Sequence, residues 1–380
     1  MAFVLFGDRT RYTIMRRLIF ALLLVAVACG QAQARPATSA VATLTTPSAT
    51  APASSTYTPS PSTGPVPSPS SRPSPTSTPL SNPFVEYAVP TAGSLPHGIT
   101  SGPDGNLWFT ELGANKIAKV SPSGVFTEYS VPTAYSGPWG ITAGPDGNLW
   151  FTEYGTSTVA KVTTSGVFTE YTVTSGSSTG PTGITAGPDG NLWFIENGAN
   201  KVAKVTTSGV VTEYPVPTYR SFLPGIGSSI VIGPDGNLWF TENGANNVAK
   251  ITTSGQVTEY HPPTPNSFSQ SMVAGPDGNL WFTENGVNKV AKVTTSGVFT
   301  EYPTPGDNGP IAITSAHGNL WVTENTPNLL AKLTTSGFFT EYSVPTISNS
   351  SAFGIAGGTD GNLWFTDQNS NLVVKFVLVP

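Results

Sequence analysis

The chain is poor in cysteine and in positive charge. Its 380 residues include one cysteine, Cys29, and three histidines. A single cysteine excludes a disulfide framework, and its N-terminal place leaves no Cys-rich zinc site and no thiol nucleophile for the remainder of the chain. From residue 83 onward, 11 basic residues stand against 21 acidic ones. Because nucleic-acid affinity rests on lysine and arginine neutralising phosphates, we expect no nucleic-acid partner.

Residues 1–34 are predicted to be an export signal. Arg16 and Arg17 precede an apolar run that is too short to cross a bilayer stably. Two processing routes remain open. The segment ending at Cys29 resembles a bacterial lipoprotein box, which would make Cys29 a lipidation site, whereas residues 32–34 (Ala-Gln-Ala) fit a signal-peptidase site. Both routes give an extracytoplasmic protein, either a cell-surface lipoprotein or a secreted one, whose only membrane contact would be a lipid anchor.

Residues 35–82 are predicted to be a disordered linker. Between residues 36 and 83, 12 prolines and 22 serines or threonines fill 34 of 48 positions. Such a composition cannot bury enough apolar surface to fold. The folded domain is therefore expected over residues 83–380, and we expect it to be a monomer.

The domain is built from an internal repeat. The segment Gly-Asn-Leu-Trp occurs seven times, at spacings of 40 to 46 residues. Its tryptophans are Trp108, Trp150, Trp193, Trp239, Trp281, Trp321 and Trp364. Turn sequences, Gly-Pro-Asp-Gly and Ser-Gly, divide each repeat into four short strands. This period is typical of propeller blades and predicts an all-β, seven-bladed β-propeller with four antiparallel strands per blade.

The two ends of the chain complete each other. The last repeat lacks its fourth strand, whereas residues 84–89 match a fourth strand whose first three strands are missing before it. We expect the N-terminal strand to close the last blade, which removes an exposed sheet edge.

The Ser-Gly turns also predict a register. If they are two-residue turns, Lys161 lies opposite Glu170, and the same counting pairs Lys375 with Glu86 through closure. If the turn is Thr-Thr-Ser-Gly instead, the partner of Lys161 becomes Phe168.

The blade topology places the entrance of each first strand and the end of each second strand on one face, around the central channel. One position of the entrance ring is expected to hold His97, Trp139, Thr182, Ser228 or Ser229, Ser271, Ala312 or Ile311, and Phe353. The second-strand ends carry Glu111, Glu153, Glu196, Glu242, Glu284, Glu324 and Asp367.

His97 is the candidate with the clearest chemistry, because histidine titrates nearest neutrality and can act as general acid or base. Glu111 shares its blade, so the two form a candidate acid/base pair. An ordinary polar loop residue is the alternative for His97. The acids could bind a divalent cation through oxygen ligands, or serve the structure of each repeat.

The unit that runs from Pro96 through Glu111, with its Phe-Thr-Glu-Tyr segment, closely resembles the repeats of the virginiamycin B (streptogramin B) lyase family. That resemblance covers residues 84–380 and implies a seven-bladed enzyme that opens cyclic depsipeptide esters by elimination. It also implies Mg²⁺ and two histidines from adjacent Pro-His-Gly/Ala-Ile segments. His97 matches one of them, while Phe353 and Trp139 occupy the neighbouring positions and Leu95 stands where a glutamate is expected.

Two classes of function follow. In the first, the propeller is a degenerate family member that binds a peptide, glycan or cell-wall ligand at the channel mouth. Its candidate contacts are Trp139, Phe353, Tyr135, Glu153 and Asp367. In the second, it is a metal-assisted carbon–oxygen lyase that uses His97 and Glu111, or a lactonase-type hydrolase, with Mg²⁺ as the candidate cofactor and a small cyclic peptide as substrate.

Overall fold

The computed structural model describes residues 82–173, 180–223, 227–325, 328–345 and 352–378. The predicted export signal, Cys29 and the linker up to residue 81 lie outside this part of the chain. Within the described residues, no helix has the length and apolar character needed to cross a membrane. Strands dominate this part, with one 3₁₀ turn at Asn285–Val287.

In the described part of the chain, twenty-eight strands form seven four-stranded sheets, and each sheet is one blade. The first strand is β1 (Phe84–Ala88). Blade 1 comprises β2 (Pro96–Ser101), β3 (Leu107–Glu111), β4 (Lys116–Val120) and β5 (Phe126–Ser130), and blade 2 comprises β6 (Pro138–Ala143), β7 (Leu149–Glu153), β8 (Thr158–Val162) and β9 (Phe168–Thr172). Blade 3 comprises β10 (Pro181–Ala186), β11 (Leu192–Glu196), β12 (Lys201–Val205) and β13 (Val211–Pro215), and blade 4 comprises β14 (Ile230–Ile232), β15 (Leu238–Glu242), β16 (Asn247–Ile251) and β17 (Val257–Tyr260). Blade 5 comprises β18 (Ser269–Ala274), β19 (Leu280–Glu284), β20 (Lys289–Val293) and β21 (Phe299–Pro303), and blade 6 comprises β22 (Pro310–Ala316), β23 (Asn319–Glu324), β24 (Leu329–Leu333) and β25 (Phe339–Ser343). Blade 7 comprises β26 (Ala352–Gly357), β27 (Leu363–Asp367), β28 (Leu372–Phe376) and β1.

The predicted propeller and its closure are confirmed. β1 pairs antiparallel with β28, so that Phe84 lies opposite Phe376 and Ala88 opposite Leu372. We call the strands of each blade a to d from the hub outward, because the a strands of neighbouring blades contact one another around the central axis.

The repeated tryptophans pack between blades. Trp108 is fully buried in a cluster that includes Ile141 and Leu149 of the next blade. Its indole Nε1 donates to Asp104 Oδ1 at 2.9 Å, and the Tyr129 ring stacks on it at 5.7 Å. A large apolar surface is thus buried at the blade interface while the one polar atom of the indole is satisfied. The same aspartate bond recurs for the other repeated tryptophans except Trp321, whose buried Nε1 has no partner among the described residues.

The predicted Lys–Glu register is wrong. Lys161 lies opposite Thr169, because residues 163–167 form a five-residue loop rather than either turn that the sequence suggests. In the pairing of β28 with β1, Lys375 lies opposite Val85 rather than Glu86. The lysine instead forms an ion pair with Asp146 at 3.2 Å and covers the Trp150 ring at 5.2 Å.

A threonine on strand b fixes the hub. Thr110 Oγ1 accepts the amide of Gly98 at 3.0 Å and donates to the carbonyl of Trp139, in the next blade, at 2.8 Å. Glycine is needed at 98, since a Cβ there would stand 2.7 Å from that carbonyl. The threonine hydroxyl therefore links the backbones of neighbouring a strands at their entrances. This link sets the positions of the side chains at the channel mouth.

Candidate functional site

The threonine bridges identify which residue stands at the channel mouth in six blades, and in blade 3, where Ile195 replaces the threonine, the close approach of Gly183 to the Ser228 carbonyl identifies it. The hub residue precedes the amide that bonds to the strand-b hydroxyl, as His97 precedes Gly98. The hub residues are His97, Trp139, Thr182, Ser228, Gln270, Ile311 and Phe353. This corrects the expected Ser271, whose amide itself bonds to Thr283 Oγ1 at 3.1 Å, so that Gln270 is the hub residue. The spacing from each strand-b threonine was the sequence signal that could have found it.

His97 is buried between two aromatic rings. The residue is 8% exposed, and its ring centroid lies 4.3 Å from that of Trp139 and 5.0 Å from that of Phe353. Nδ1 lies 3.3 Å from the Trp139 carbonyl oxygen. Because a carbonyl only accepts, Nδ1 carries the proton and Nε2 presents a lone pair. Among the described residues, Nε2 has no hydrogen-bond partner.

Burial also sets the charge of His97. Removal from water lowers its pKa from 6.5 to about 4, and the hydrogen bond to the Trp139 carbonyl offsets this only in part. At neutral pH the imidazole is therefore uncharged, with one buried acceptor nitrogen that nothing in the described structure satisfies.

Trp139 extends the aromatic surface across the mouth. Its ring lies 5.3 Å from that of Tyr154, at the end of the same blade's strand b. On the other side it approaches blade 4, where a Cβ on Gly227 would stand 2.9 Å from the indole Nε1. The structure therefore brings together His97, Trp139 and Phe353, as expected, and adds Tyr154 and Gly227, which sequence reasoning missed because neither belongs to the repeated motif.

Glu111 does not join this group. It is fully buried at the end of β3, opposite Pro96 and Lys116 in register. Burial and the neighbouring Glu128 raise its pKa to about 8, while Lys116 counteracts this. A protonated Glu111 beside the carboxylate of Glu128 is the arrangement that this environment favours. No hydrogen bond connects His97 with Glu111 in the described structure.

The other two candidate acids are likewise buried and bonded within their own blades. Glu153 is buried, accepts from Thr156 Oγ1 at 3.0 Å, and has a pKa raised to about 8 by burial and by Glu170. Asp367 is buried and accepts the amide of Ser370 at 3.0 Å. Tyr135 is 68% exposed in the loop that enters blade 2, with a positive φ of 58°.

The remaining histidines stand away from the hub. His261 is exposed after β17, with Nδ1 2.6 Å from Asn247 Oδ1. His317 begins a two-residue turn with Gly318, both at positive φ, and its Nε2 lies 2.9 Å from the Gly361 carbonyl. The connection between strands a and b is one residue shorter here than in the other blades, because residues 316–318 (Ala-His-Gly) replace Gly-Pro-Asp-Gly or, in blade 7, Gly-Thr-Asp-Gly. His97 is therefore the single histidine of the chain at the channel mouth.

The side chains present do not fit the Mg²⁺ that the family resemblance implies. Mg²⁺ requires several oxygen ligands in near-octahedral geometry. Within the described residues, no group of three or more His, Cys, Asp or Glu side chains is placed to hold a metal ion. The hub neighbours of His97 are aromatic rings, and the nearest repeated acids interact within their own blades.

Comparison with known proteins agrees with the fold and its repeat. The sequence model of the Virginiamycin B lyase family matches residues 79–225 and 226–378. A structure of streptogramin B lyase is 35% identical, with a TM-score of 0.72, over 77% of this chain and 96% of that one. A catalytically inactive His→Ala variant of Staphylococcus aureus virginiamycin B lyase with quinupristin is 34% identical, with a TM-score of 0.73, over 78% and 99%.

A curated virginiamycin B lyase from Saccharopolyspora erythraea is 49% identical over 39 residues, which span 10% of this chain and 13% of that relative. The two family matches together cover most of the propeller. The chain therefore belongs to the Virginiamycin B lyase family.

Proposed function

We propose that this propeller binds a ligand at its channel mouth and does not carry out metal-dependent lyase chemistry. The ligand is a peptide, glycan or cell-wall component with an apolar face. The observation that carries the proposal is the environment of His97: a buried, uncharged imidazole between Trp139 and Phe353, with Nε2 lacking a partner among the described residues. Buried polar atoms are nearly always satisfied, so an unsatisfied one beside two partly exposed aromatic rings favours a ligand that donates to it.

Elimination across an ester needs more than this hub offers. It requires a base for the α-proton and an electrophile for the carbonyl oxygen. His97 could supply the base. No second histidine stands at the hub, and the buried acids Glu111 and Glu153 favour their protonated forms within the blades. The set of residues thus lacks the electrophilic half of the reaction.

A lyase or lactonase-type hydrolase is the second candidate. The unpaired Nε2 of neutral His97 favours it, because such a nitrogen can accept a proton. A single His→Ala change gives a catalytically inactive protein in the Staphylococcus aureus relative, which makes His97 the residue to test. The products separate the two reactions: elimination yields a ring-opened isomer of unchanged mass, whereas hydrolysis adds the mass of one water.

Calorimetric titration of the full chain tests the binding proposal. The probes are quinupristin and soluble peptidoglycan fragments, each with excess EDTA. We expect binding of at least one probe in EDTA and its loss in Trp139→Ala. Phe338→Ala is the matched control, since Phe338 is an aromatic residue that is 70% exposed in the turn between strands c and d of blade 6. Binding that is unchanged in Trp139→Ala would place the ligand elsewhere and refute the proposal.

The protein acts outside the cytoplasm, either anchored to the membrane by a lipid on Cys29 or secreted as a monomer. The charge and apolar pattern of residues 16–34 supports this. Incorporation of labelled palmitate in cells that vanishes in Cys29→Ala identifies the lipoprotein. Labelling that persists in this variant contradicts the anchor at Cys29.

A further inference from the structure

The channel mouth has two chemically different halves. Blades 7, 1 and 2 present Phe353, His97 and Trp139, which are aromatic, whereas blades 3, 4 and 5 present Thr182, Ser228 and Gln270, which carry hydroxyl or amide groups. In a ring of seven, blades 4 and 5 stand across the axis from blade 1. The two halves therefore face one another.

Ser228 supplies a second unsatisfied buried atom in the polar half. The residue is 4% exposed, and its hydroxyl has no hydrogen-bond partner among the described residues. The hub is also built differently at this point, because Ile195 replaces the threonine whose hydroxyl holds the next hub carbonyl in blades 1 and 2. His97 Nε2 and Ser228 Oγ thus stand on opposite halves, each without the partner that buried polar groups require.

The Trp139 side chain contacts both halves of the channel mouth. Its ring contacts His97 on one side and reaches Gly227, the residue before Ser228, on the other. The indole therefore contacts His97 and also approaches the residue next to Ser228, so it stands beside both residues that carry an unsatisfied atom.

The charge and polarity of the mouth restrict what a ligand there can be. His97 is neutral at neutral pH, and the six other hub side chains carry no formal charge, so nothing at the hub compensates a charged ligand. Nε2 only accepts hydrogen bonds, whereas the Ser228 hydroxyl donates or accepts. The ligand must offer a donor at one edge, a further polar group at another, and an apolar face to the indole.

We infer that the hub binds a neutral saccharide ring. Its C–H face packs on Trp139, one hydroxyl donates to His97 Nε2, and another hydroxyl bonds to Ser228 Oγ. A pyranose ring carries hydroxyl groups around its edge and C–H groups on its faces, which matches this arrangement. The inference rests on the proposed binding function and narrows its ligand class.

The test is calorimetric titration of the full chain with chitotriose, maltotriose and cellotriose, beside trigalacturonate as a charged control. Binding of a neutral trisaccharide, and none of trigalacturonate, is expected. Losing one hydrogen bond should weaken that binding about tenfold in Ser228→Ala and in His97→Phe. Ser165→Ala, at an exposed turn, is the matched control and should leave affinity unchanged. Trp139→Phe, which keeps a ring, covers the case in which Trp139→Ala does not fold.

The possible outcomes separate the assigned contacts, the saccharide inference and the proposed function. Neutral-sugar binding that is insensitive to Ser228→Ala and His97→Phe overturns the assigned contacts. Binding of none of the sugars, with quinupristin still bound in a Trp139-dependent manner, overturns the saccharide inference and leaves the proposed function standing. Absence of Trp139-dependent binding for sugars, peptidoglycan fragments and quinupristin alike overturns the proposed function itself.

Discussion

Replacing Trp139 by alanine should uncover His97. The indole centroid lies 4.3 Å from the imidazole, and its removal takes away one of the two rings that shield a residue only 8% exposed. Since desolvation is the main cause of the lowered pKa, water in the vacated space should raise the pKa of His97 from about 4 toward 6.5.

The magnitude follows from the size of that shift. A return of the His97 pKa from about 4 to 6.5 corresponds to about 3 kcal/mol, at about 1.4 kcal/mol for each pKa unit. The folded pKa is depressed, so the unfolded chain takes up a proton first as the pH falls. In the native protein, His97 should therefore cost up to about 3 kcal/mol of stability as the pH drops from 6.5 to 4, and in His97→Gln this part of the pH dependence should vanish.

Two measurements on the full chain check this prediction. Diethylpyrocarbonate labelling, read residue by residue by mass spectrometry, should modify exposed His261 and His317 quickly and His97 slowly, and Trp139→Ala should make His97 fast. Nuclear magnetic resonance titration should give a low pKa for His97 in the native protein and a higher one in the variant. Rapid labelling of native His97, or a native pKa near 6.5, would refute the reasoning.

Three further changes test the scaffold that holds the site. Glu153→Gln should raise the free energy of unfolding at pH 9 relative to pH 6: the folded pKa of Glu153 is raised to about 8, so its stabilising proton is present at low pH and lost as the pH rises through 8. Since about two pKa units lie between pH 6 and the folded pKa, the gain measured by urea unfolding should be up to about 3 kcal/mol larger at pH 9 than at pH 6, and no gain at pH 9 contradicts it. Asp104→Ala should lose about 1–3 kcal/mol, because the Trp108 Nε1 hydrogen bond of 2.9 Å disappears in a buried interface; an unchanged urea midpoint would count against that role. Gly98→Ala should lower the melting temperature, since the new Cβ meets the Trp139 carbonyl at 2.7 Å; an unchanged melting temperature is the contrary result.

The repeat made the architecture predictable, because seven Gly-Asn-Leu-Trp segments and the two incomplete chain ends allow one closed ring. Side-chain placement at the hub was predictable where the Pro-X-Gly-Ile pattern persists, as for His97 and Trp139. It failed at Ser271, where blade 5 lacks that pattern and the register depends on a hydrogen bond to Thr283. The Lys161 pairing failed for a related reason, since the five-residue loop shifts each cross-strand partner by one residue from the registers that a two-residue or a four-residue turn would give.

The acids were harder to place. Strand alternation puts Glu111 on the same face of β3 as Phe109, which packs in a cluster with Trp364 of blade 7. There, burial and the neighbouring Glu128 raise the pKa of Glu111, while Lys116 lowers it. A sequence shows that an acid ends each strand b, but whether it faces the channel or the blade depends on packing that forms only in the closed ring.

Ring opening of a streptogramin B antibiotic tests the central claim most directly. The full chain is incubated with the antibiotic in Mg²⁺ or in EDTA, and the products are separated by chromatography and weighed by mass spectrometry. We predict that the intact antibiotic is recovered equally in both. A ring-opened isomer that forms only with Mg²⁺, and disappears in His97→Gln while His261→Gln retains it, would contradict the account of the hub as a binding site without metal-dependent lyase chemistry.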